Sequence, residues 1–449
     1  MIRVFSDKTF NKTLFRLALP LVLQSLLLAT VAAADAIMLG KLDQNSMSAV
    51  SLATQFQFLQ NMEIFAVAGA FLALGSQYWG KGDVRSVSDV FVITLRVNTI
   101  MSFVFFVGTA FFPEKLMTIF TNQPKLIEIG AEYLKIAGFS YLLVGISQTY
   151  ISLLKVTDKA KYSAIISGTT VIINIILNAV LIFGLFGLPE MGVRGAALAT
   201  LLSRIIELVW CVLISLRNGF VRPDLRRIFM HFKGLSHDFF VTVMPLVGAV
   251  ALWAIGFSSY SSFMGHLGED AAAANSVAAV IRDLVCCLCD GLAAAGGIVV
   301  GNELGRGNLE KGKENGIKMA IIGFLCGLVS TILMLLSMFP LLAFVKISAL
   351  ARHYLIQMML VLAFYMIGRS VNTIIVNGVF AAGGDTKFDA YSLAVTMWGL
   401  AVPLAALGTY VFGWPVVLVY GFTCLDEVGK IPWTMYHFRK YKWVKDLTR

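Results

Sequence analysis

The sequence contains few charged residues for its length. Charged side chains account for 14% of the 449 residues, whereas a typical soluble domain has roughly 25%. Hydrophobic residues make up 58% and the mean hydropathy is +0.80. These values exclude a soluble globular protein and predict an integral membrane protein.

The six cysteines and five histidines follow no spacing typical of a metal site or a disulfide framework. Each cysteine lies in an apolar stretch, so we interpret all six as small packing residues. No histidine, cysteine or pair of acids supplies a nucleophile together with its base. The sequence therefore predicts no cofactor, and it predicts a protein that is not an enzyme.

The formal net charge of +10 is compatible with nucleic-acid binding, but the basic residues are spread over many loops and never gather on one polar domain. Membrane topology explains this distribution better. We expect no nucleic acid partner. The expected partners are the lipid bilayer and a small organic molecule, and we expect a monomer.

Twelve apolar segments are long enough to cross a bilayer, which takes about 20 residues. The predicted spans are 14–40, 50–78, 88–113, 128–154, 162–187, 192–216, 237–266, 274–304, 315–343, 351–381, 388–412 and 413–437. The last two are separated only by Gly413, Trp414 and Pro415. An even number of spans places both termini on the same side of the membrane.

The basic residues indicate which side that is. Of the 36 Lys and Arg residues, 24 fall before the first span, after the last span, or in the loops on that same side, and 6 fall in the opposite loops. Because cytoplasmic loops carry the excess of positive charge, both termini are predicted to be cytoplasmic. The expected location is the plasma membrane of a prokaryote.

Residues 18–83 recur at 243–308 in one ungapped register, 225 positions later. Shared residues include Pro20 with Pro245, Gly40 with Gly265, and Gly80 with Gly305. Since 225 residues hold six spans, the second half enters the membrane in the same direction as the first. This predicts two pseudo-symmetric six-helix lobes, related by an axis along the membrane normal.

The longest polar stretch separates the two halves, and we interpret it as a cytoplasmic linker. The predicted domains are an N-terminal lobe at 1–216, the linker at 217–236, and a C-terminal lobe with a basic tail at 237–449. The predicted fold is thus all-α, with twelve transmembrane helices in two lobes.

Six motifs, taken together with their order and spacing, indicate a known family. They are Leu19-Pro20 with Asp35-Ala36-Ile37-Met38-Leu39-Gly40, Ser48-Ala49-Val50-Ser51, Gln77-Tyr78-Trp79-Gly80-Lys81-Gly82-Asp83, Asn174-Ile175-Ile176-Leu177-Asn178, Gly192-Val193-Arg194-Gly195-Ala196-Ala197 and Gly383-Gly384-Asp385-Thr386-Lys387-Phe388. On these residues the chain resembles the multidrug and toxic compound extrusion (MATE) family over nearly its whole length. The resemblance implies export of organic compounds by alternating access, in exchange for Na⁺ or H⁺.

The sequence departs from some branches of that family, which carry cation-binding acids on the seventh and tenth helices. Trp253 and Ser370 occupy those places here. We therefore expect ion coupling in the N-terminal lobe. There Asp35 lies about five residues from the outer end of the first span, roughly 8 Å deep at 1.5 Å per residue. A carboxylate at that depth faces a wet cavity, takes up a proton or binds a cation.

Asn174 and Asn178 are four residues apart on one helix face, and Thr200 follows in the next span. Their oxygens suit a hard cation such as Na⁺, and the resemblance implies that they surround Asp35. We predict a possible Na⁺ site at Asp35, Asn174 and Asn178. The alternative for each amide is interhelical hydrogen bonding.

Glu63, Asp290 and Arg369 are secondary candidates inside the membrane. Glu63 belongs either to an ion path or to hydrogen bonds within the bundle. For Asp290 and Arg369 we predict a structural ion pair, and a role toward the substrate is the alternative. Neighbouring opposite charges elsewhere predict local pairs, Arg204 with Glu207 and Lys430 with the adjacent acids Asp426 and Glu427.

The predicted function is a secondary antiporter that exports organic, cationic and amphipathic compounds in exchange for H⁺ or Na⁺. One alternative is a flippase of lipid-linked precursors, which needs several basic residues inside its cavity. Another is an exporter of one specific metabolite.

Overall fold

The computed structural model describes residues 7–40, 44–121, 123–230, 232–344 and 347–448, without the side chains of 30–37, 40, 44, 341, 343 and 344. The regular structure in these ranges is helical, with no strand. Most helices are long and nearly uniformly apolar, as expected where the helix surface faces lipid as well as protein.

The α-helices follow the order of the predicted spans. They are α1 (Lys8–Gly40), α2 (Gln44–Lys81), α3 (Val84–Phe111), α4 (Pro113–Met117), α5 (Pro124–Val156), α6 (Ala160–Phe183), α7 (Gly192–Ser215), α8 (Lys233–His266), α9 (Glu269–Gly305), α10 (Leu309–Phe344), α11 (Ala349–Asn372), α12 (Lys387–Leu393), α13 (Val402–Tyr410), α14 (Val416–Thr423), α15 (Leu425–Val428) and α16 (Ile431–Arg439). A π-helical segment, Thr373–Phe380, extends α11, and another, Ala394–Ala401, joins α12 to α13.

Eleven helices in the described ranges are long and apolar enough to cross a membrane. They correspond to the first eleven predicted spans. The twelfth predicted span, 413–437, is divided among α14, α15 and α16. Proline explains the last division, because Pro432 is in the first turn of α16 and its ring excludes a continuous helix through Val428.

The chain divides into two compact units. Unit N comprises the described residues of Leu26–Gly75 and Asp83–Phe239. Unit C comprises the described residues of Met1–Ser25, Ser76–Gly82 and Phe240–Arg449. The start of α1 and the end of α2 thus belong to unit C, and the predicted lobe boundaries at 216 and 237 stay a prediction.

An apolar cluster forms the core of unit N. Its buried members come from α1, α2, α5, α6 and α7, together with Met117 of α4. Tyr141 and Leu134 of α5 lie at its centre and are 0% exposed. The cluster therefore fixes the relative positions of the helices that carry the candidate residues of this half.

In unit C, the ends of α2 and α9 cross with their backbones in contact. A Cβ atom on Gly80 would lie 2.1 Å from the carbonyl oxygen of Asn302, and one on Gly305 would lie 1.8 Å from that of Gln77. Gly80 and Gly305 are equivalent in the repeat, and so are Gln77 and Asn302. The contact is therefore two-fold symmetric, and both copies need glycine because no side chain fits.

The C-terminal segment packs over this crossing. The Gln77 side chain is 0% exposed, and its Nε2 donates to the carbonyls of Ala382 at 2.6 Å and Lys445 at 3.1 Å. Its Oε1 accepts from the amide of Leu447 at 2.6 Å. Trp443 is also 0% exposed, so the last turns of the chain are part of the folded unit.

The start of α1 is held to α10 by an ion pair. Lys318 Nζ lies 2.6 Å from Asp7 Oδ2, and the amide of Phe10 donates to Asp7 Oδ1 at 3.0 Å. The hydrogen bond from Lys318 and that from Phe10 hold the pKa of Asp7 below its usual value of 3.8. A depressed carboxyl pKa means that this stabilisation is present above 3.8 and is lost as the pH falls through the folded-state value.

The glycine contact makes a testable prediction. Gly305→Ala should lower the free energy of unfolding by about 1–3 kcal/mol, because the new methyl group overlaps a backbone carbonyl that cannot rotate away. The control is Gly248→Ala, since a Cβ on Gly248 meets nothing within 4 Å. Unfolding in detergent micelles, followed by tryptophan fluorescence, measures both. Equal stability of the two variants would contradict the close crossing.

Candidate functional site

Asn174 and Asn178 face each other one turn apart on α6. Both are buried, and Asn178 Nδ2 donates to Asn174 Oδ1 at 3.3 Å. Thr200 of α7 is also buried, and its hydroxyl donates to the carbonyl of Ala196 at 3.0 Å. Three polar side chains thus lie inside unit N, where unpaired polar groups are costly.

The packing of α6 against α7 brings these residues to one level. The position of a Cβ on Gly195 is 2.6 Å from the carbonyl oxygen of Leu181, so the two backbones touch there. Helices α6 and α7 run antiparallel because a short connection joins them. Asn178 lies three residues before the contact at Leu181, and Thr200 lies five residues after the contact at Gly195. Both side chains are therefore on the same side of the contact along the helix axes.

The apolar cluster shows that Asp35 of α1 lies at a similar level along the helix axes. Asp35 lies on the continuous helix α1, although its side chain is outside the described residues. Three cluster members lie one helical turn from a candidate residue: Leu39 from Asp35, Ile182 from Asn178, and Ala196 from Thr200. The backbone of α1 therefore carries Asp35 to the layer that holds the polar residues of α6 and α7. Their role as an ion site stays a prediction.

Glu63 is partly buried on α2. Its Oε2 is inaccessible and makes no hydrogen bond with any described residue. One turn earlier, Gln60 Nε2 donates to Ser102 Oγ at 3.0 Å and to the carbonyl of Tyr141 at 2.7 Å. Gln60 thus has a structural role, whereas Glu63 retains an oxygen available for a proton or a cation.

The predicted pair of Arg204 and Glu207 is confirmed. Arg204 Nη1 lies 2.8 Å from Glu207 Oε2, which also accepts from Ser147 Oγ at 3.1 Å. Gln148 Nε2 lies 3.5 Å from the other oxygen. The buried carboxylate is fully engaged, so it is a structural group of unit N.

In unit C, the predicted pair of Arg369 with Asp290 is wrong. Arg369 Nη1 lies 2.7 Å from Glu427 Oε1, and Asn372 Nδ2 donates to Glu427 Oε2 at 2.8 Å. Asp290 is exposed on α9 and forms no ion pair with any residue in the described ranges. In the folded unit, α15 and not α9 lies opposite the guanidinium of Arg369. The spacing of residues along the sequence does not reveal a contact between such distant segments.

The expectation that Lys430 pairs with Asp426 or Glu427 is also wrong. Lys430 Nζ lies 3.1 Å from Asp389 of α12. On α9, Arg282 pairs with its neighbour Asp283 at 2.8 Å and stacks over Phe257 with 4.4 Å to the ring centroid. Sequence reasoning therefore missed Glu427 as the partner of Arg369. The available signal was two adjacent acids in a span with only one nearby lysine.

The repeat and the fold both have counterparts among known proteins. A family model described as MatE matches residues 20–180 and again residues 245–407. The second match begins 225 residues after the first, which is the spacing of the internal repeat. Among solved structures, the outward-facing conformation of a multidrug resistance MATE family transporter of the MOP superfamily has a TM-score of 0.86, at 18% identity over 96% of this chain and 97% of that chain.

Curated relatives are consistent with this family match. An uncharacterized transporter, YisQ of Bacillus subtilis, is 25% identical over 91% of this chain and 88% of its own length. A probable multidrug resistance protein NorM of Thermotoga maritima is 29% identical over 67% of this chain and 64% of its own length. A MOP superfamily transporter from Pyrococcus furiosus also has a TM-score of 0.86, at 18% identity over 96% of this chain and 97% of that chain.

These matches define an all-helical, multi-pass membrane transporter with a two-lobe fold. The chain belongs to the MatE family of multidrug and toxic compound extrusion transporters. The predicted fold class and family are confirmed.

The pair of Arg369 and Glu427 can be tested by stability. Glu427→Gln should lower the free energy of unfolding by about 3–5 kcal/mol, because it leaves a guanidinium buried without its counter-charge. The control is Glu128→Gln, whose partner Lys125 is 3.7 Å away with both side chains mostly exposed; its cost should be about 1 kcal/mol or less. Denaturant titration in micelles measures the difference. A small effect in both variants would contradict the buried pair.

Proposed function

We propose that this protein exports organic, cationic and amphipathic compounds across the plasma membrane of a prokaryote, in exchange for H⁺ or Na⁺. The observation that carries the proposal is the common layer of α1, α6 and α7 beside the apolar cluster. It supports a site in which Asp35, an acid of the first span, acts together with two amides and a hydroxyl. Carboxylate, amide and hydroxyl oxygens together suit a small hard cation.

Coupling then follows from competition for one carboxylate. Ionised Asp35 attracts Na⁺ or a cationic compound, whereas a proton or a Na⁺ ion removes that attraction. Loading from outside therefore favours a state of unit N that releases cargo outward, and unloading on the cytoplasmic side restores the affinity for cargo. Asn174, Asn178 and Thr200 serve as neutral oxygen ligands for the ion.

Asp290 supports a cationic substrate. It is an exposed residue although it lies in a membrane-spanning helix, and in the described ranges it forms no ion pair. An acid in such a place that is not neutralised by the protein is available to a charged ligand. We assign Asp290 to the recognition of the substrate cation in unit C and keep Glu63 as a secondary ion candidate.

The flippase alternative loses support from the same ion pairs. A lipid diphosphate needs basic groups that are free to bind it. Arg204, Arg282 and Arg369 each hold a carboxylate at 2.8, 2.8 and 2.7 Å respectively. With Arg369 engaged by Glu427, the isolated central cation on which a flippase would depend is occupied. We accordingly favour export of a cation and expect both termini in the cytoplasm and a functional monomer.

The coupling assignment is tested with purified protein in liposomes. Asp35→Asn should abolish uptake or efflux of a cationic dye driven by an imposed pH or Na⁺ gradient, because the ion no longer competes with the cargo. Glu128→Gln, an exposed acid of the same unit, should transport like the wild type. Transport by Asp35→Asn at the wild-type rate under both gradients would disprove the assignment.

Substrate recognition is tested on the same preparation. Asp290→Asn should raise the Kd for a cationic dye at least about tenfold, since a hydrogen bond between charged groups contributes about 1.5–3 kcal/mol. The affinity for a neutral dye of similar shape should stay the same. The control is Asp270→Asn, in the first turn of the same helix. An equal loss of affinity for both dyes would show that Asp290 acts on the fold and not on charge.

A further inference from the structure

Unit C contains a cavity of about 30 Å³ between α8, α9, α11 and the segment α14–α15. This volume is sufficient for one water molecule. Polar groups on its wall include the hydroxyls of Tyr260, Tyr365 and Tyr420 and the carboxylate of Asp426. Tyr365 and Tyr420 are 7% and 4% exposed.

Basic groups near this cavity are already matched by acids. Arg282, which lines the wall, is bound by Asp283 through two hydrogen bonds of 2.9 and 2.8 Å. Arg369 belongs to Glu427, and Lys430 belongs to Asp389. The neighbourhood therefore contains three opposite-charge pairs and two acids that belong to no ion pair, Asp290, which is exposed, and Asp426, which is buried.

Asp426 is 5% exposed and forms no ion pair within the part of the chain that the structure describes. Its Oδ1 accepts the amide of Glu427 at 2.7 Å. A buried carboxylate with no counter-charge is costly, so a membrane protein that keeps one must neutralise it with a proton or a cation. The cavity provides the space in which that ion, or the water that carries it, can reach the carboxylate.

The internal repeat relates this cavity to the proposed ion site of unit N. Tyr260, on its wall, is the repeat equivalent of Asp35. The segment α14–α15 corresponds to the last predicted span of the second half, as α7 with Thr200 corresponds to the last span of the first half. Two of the four elements around the cavity, α8 and α14–α15, thus correspond to helices of the proposed ion site in unit N, and the acid is on the sixth helix of the repeat instead of the first.

We propose that Asp426 is the proton-binding carboxyl of a second ion site, in unit C. The step is simple: a proton from water in the cavity forms an O–H bond with one carboxylate oxygen, and the site becomes electrically neutral. A proton is favoured over Na⁺ because the wall also carries the guanidinium of Arg282, which repels a second resident cation.

Several titratable or charged groups share this neighbourhood and enter the interpretation of any pH dependence. They are Tyr260 of α8, Arg282, Asp283 and Asp290 of α9, Tyr365 and Arg369 of α11, Asp389 of α12, and Tyr420, Cys424, Glu427 and Lys430 along the last segment. Asp283, Asp389 and Glu427 are each paired with a base and Asp290 is exposed, so Asp426 is the buried carboxyl of this group that no ion pair neutralises.

Infrared spectroscopy tests the proposal without any transport assay, and therefore independently of the assignment of Asp35. The wild-type protein in lipid should show a carboxylic-acid C=O stretching band that is absent from Asp426→Asn and that disappears when the pH is raised. Asn preserves the shape of the side chain and the acceptor for the Glu427 amide. Glu128→Gln, an exposed acid of unit N, should leave the band unchanged. A wild-type minus Asp426→Asn spectrum with no acid band at any pH where the protein is folded would overturn the proposal.

Two further measurements separate a proton site from the alternatives. Tyr260→Phe keeps the acid but removes one hydroxyl from the wall, so the band should persist to a higher pH; an unchanged titration would overturn the role of the cavity. If Asp426→Asn does not fold, this variant supplies the test. Stabilisation by Na⁺ relative to K⁺ at equal ionic strength, present in the wild type and lost in Asp426→Asn, would replace the proton assignment by a Na⁺ site.

Discussion

The ion pair between Arg369 and Glu427 determines the charges that remain in unit C. A guanidinium and a carboxylate inside a membrane bundle are stable only together, and Asn372 fixes the second carboxylate oxygen at 2.8 Å. Because Arg369 is engaged in this way, neither Asp290 nor Asp426 can use it as a partner. One of these acids is exposed and the other is buried beside a cavity. The proposed substrate contact and the proposed proton site both follow from one arginine being occupied.

The two halves of the duplication share backbone contacts but differ in their ionisable residues. Gly80 and Gly305 make equivalent contacts at the crossing of α2 and α9, and Pro20 and Pro245 lie inside equivalent long helices. The ionisable residues differ between the halves: Asp35 corresponds to Tyr260. Once the helices and their crossing were established in both copies, the polar residues could change separately. A transporter built in this way can hold two ion sites of different composition on one scaffold.

Much of this arrangement could be predicted from the sequence because it depends on periodic and local signals. Apolar segments of sufficient length predicted the eleven helices that are long enough to cross a membrane, and the spacing of 225 residues predicted a family match that occurs twice. The pair of Arg204 and Glu207 was predictable because three residues separate them on one helix. The partners of Arg369 and Lys430 were not, since Glu427 is 58 and Asp389 is 41 residues away. The chemistry of unit C depends on such distant contacts, so sequence reasoning placed the coupling ion in the first half alone.

The packing of the C-terminal segment has a consequence for how the protein is made. Gln77 bonds to residues 368 and 370 positions later in the chain, so one side of this contact is synthesised long before the other. At about 5–20 residues per second, the interval is roughly 20 to 70 s. During that time the side chain of Gln77 has no contact with Lys445 or Leu447. The backbone at Gly80 likewise has no contact with Asn302 until that residue has been synthesised. Gln77 and Gly80 can therefore reach their final packing only after Asn302 and residues 445–447 have been synthesised, so this contact of unit C forms late in assembly.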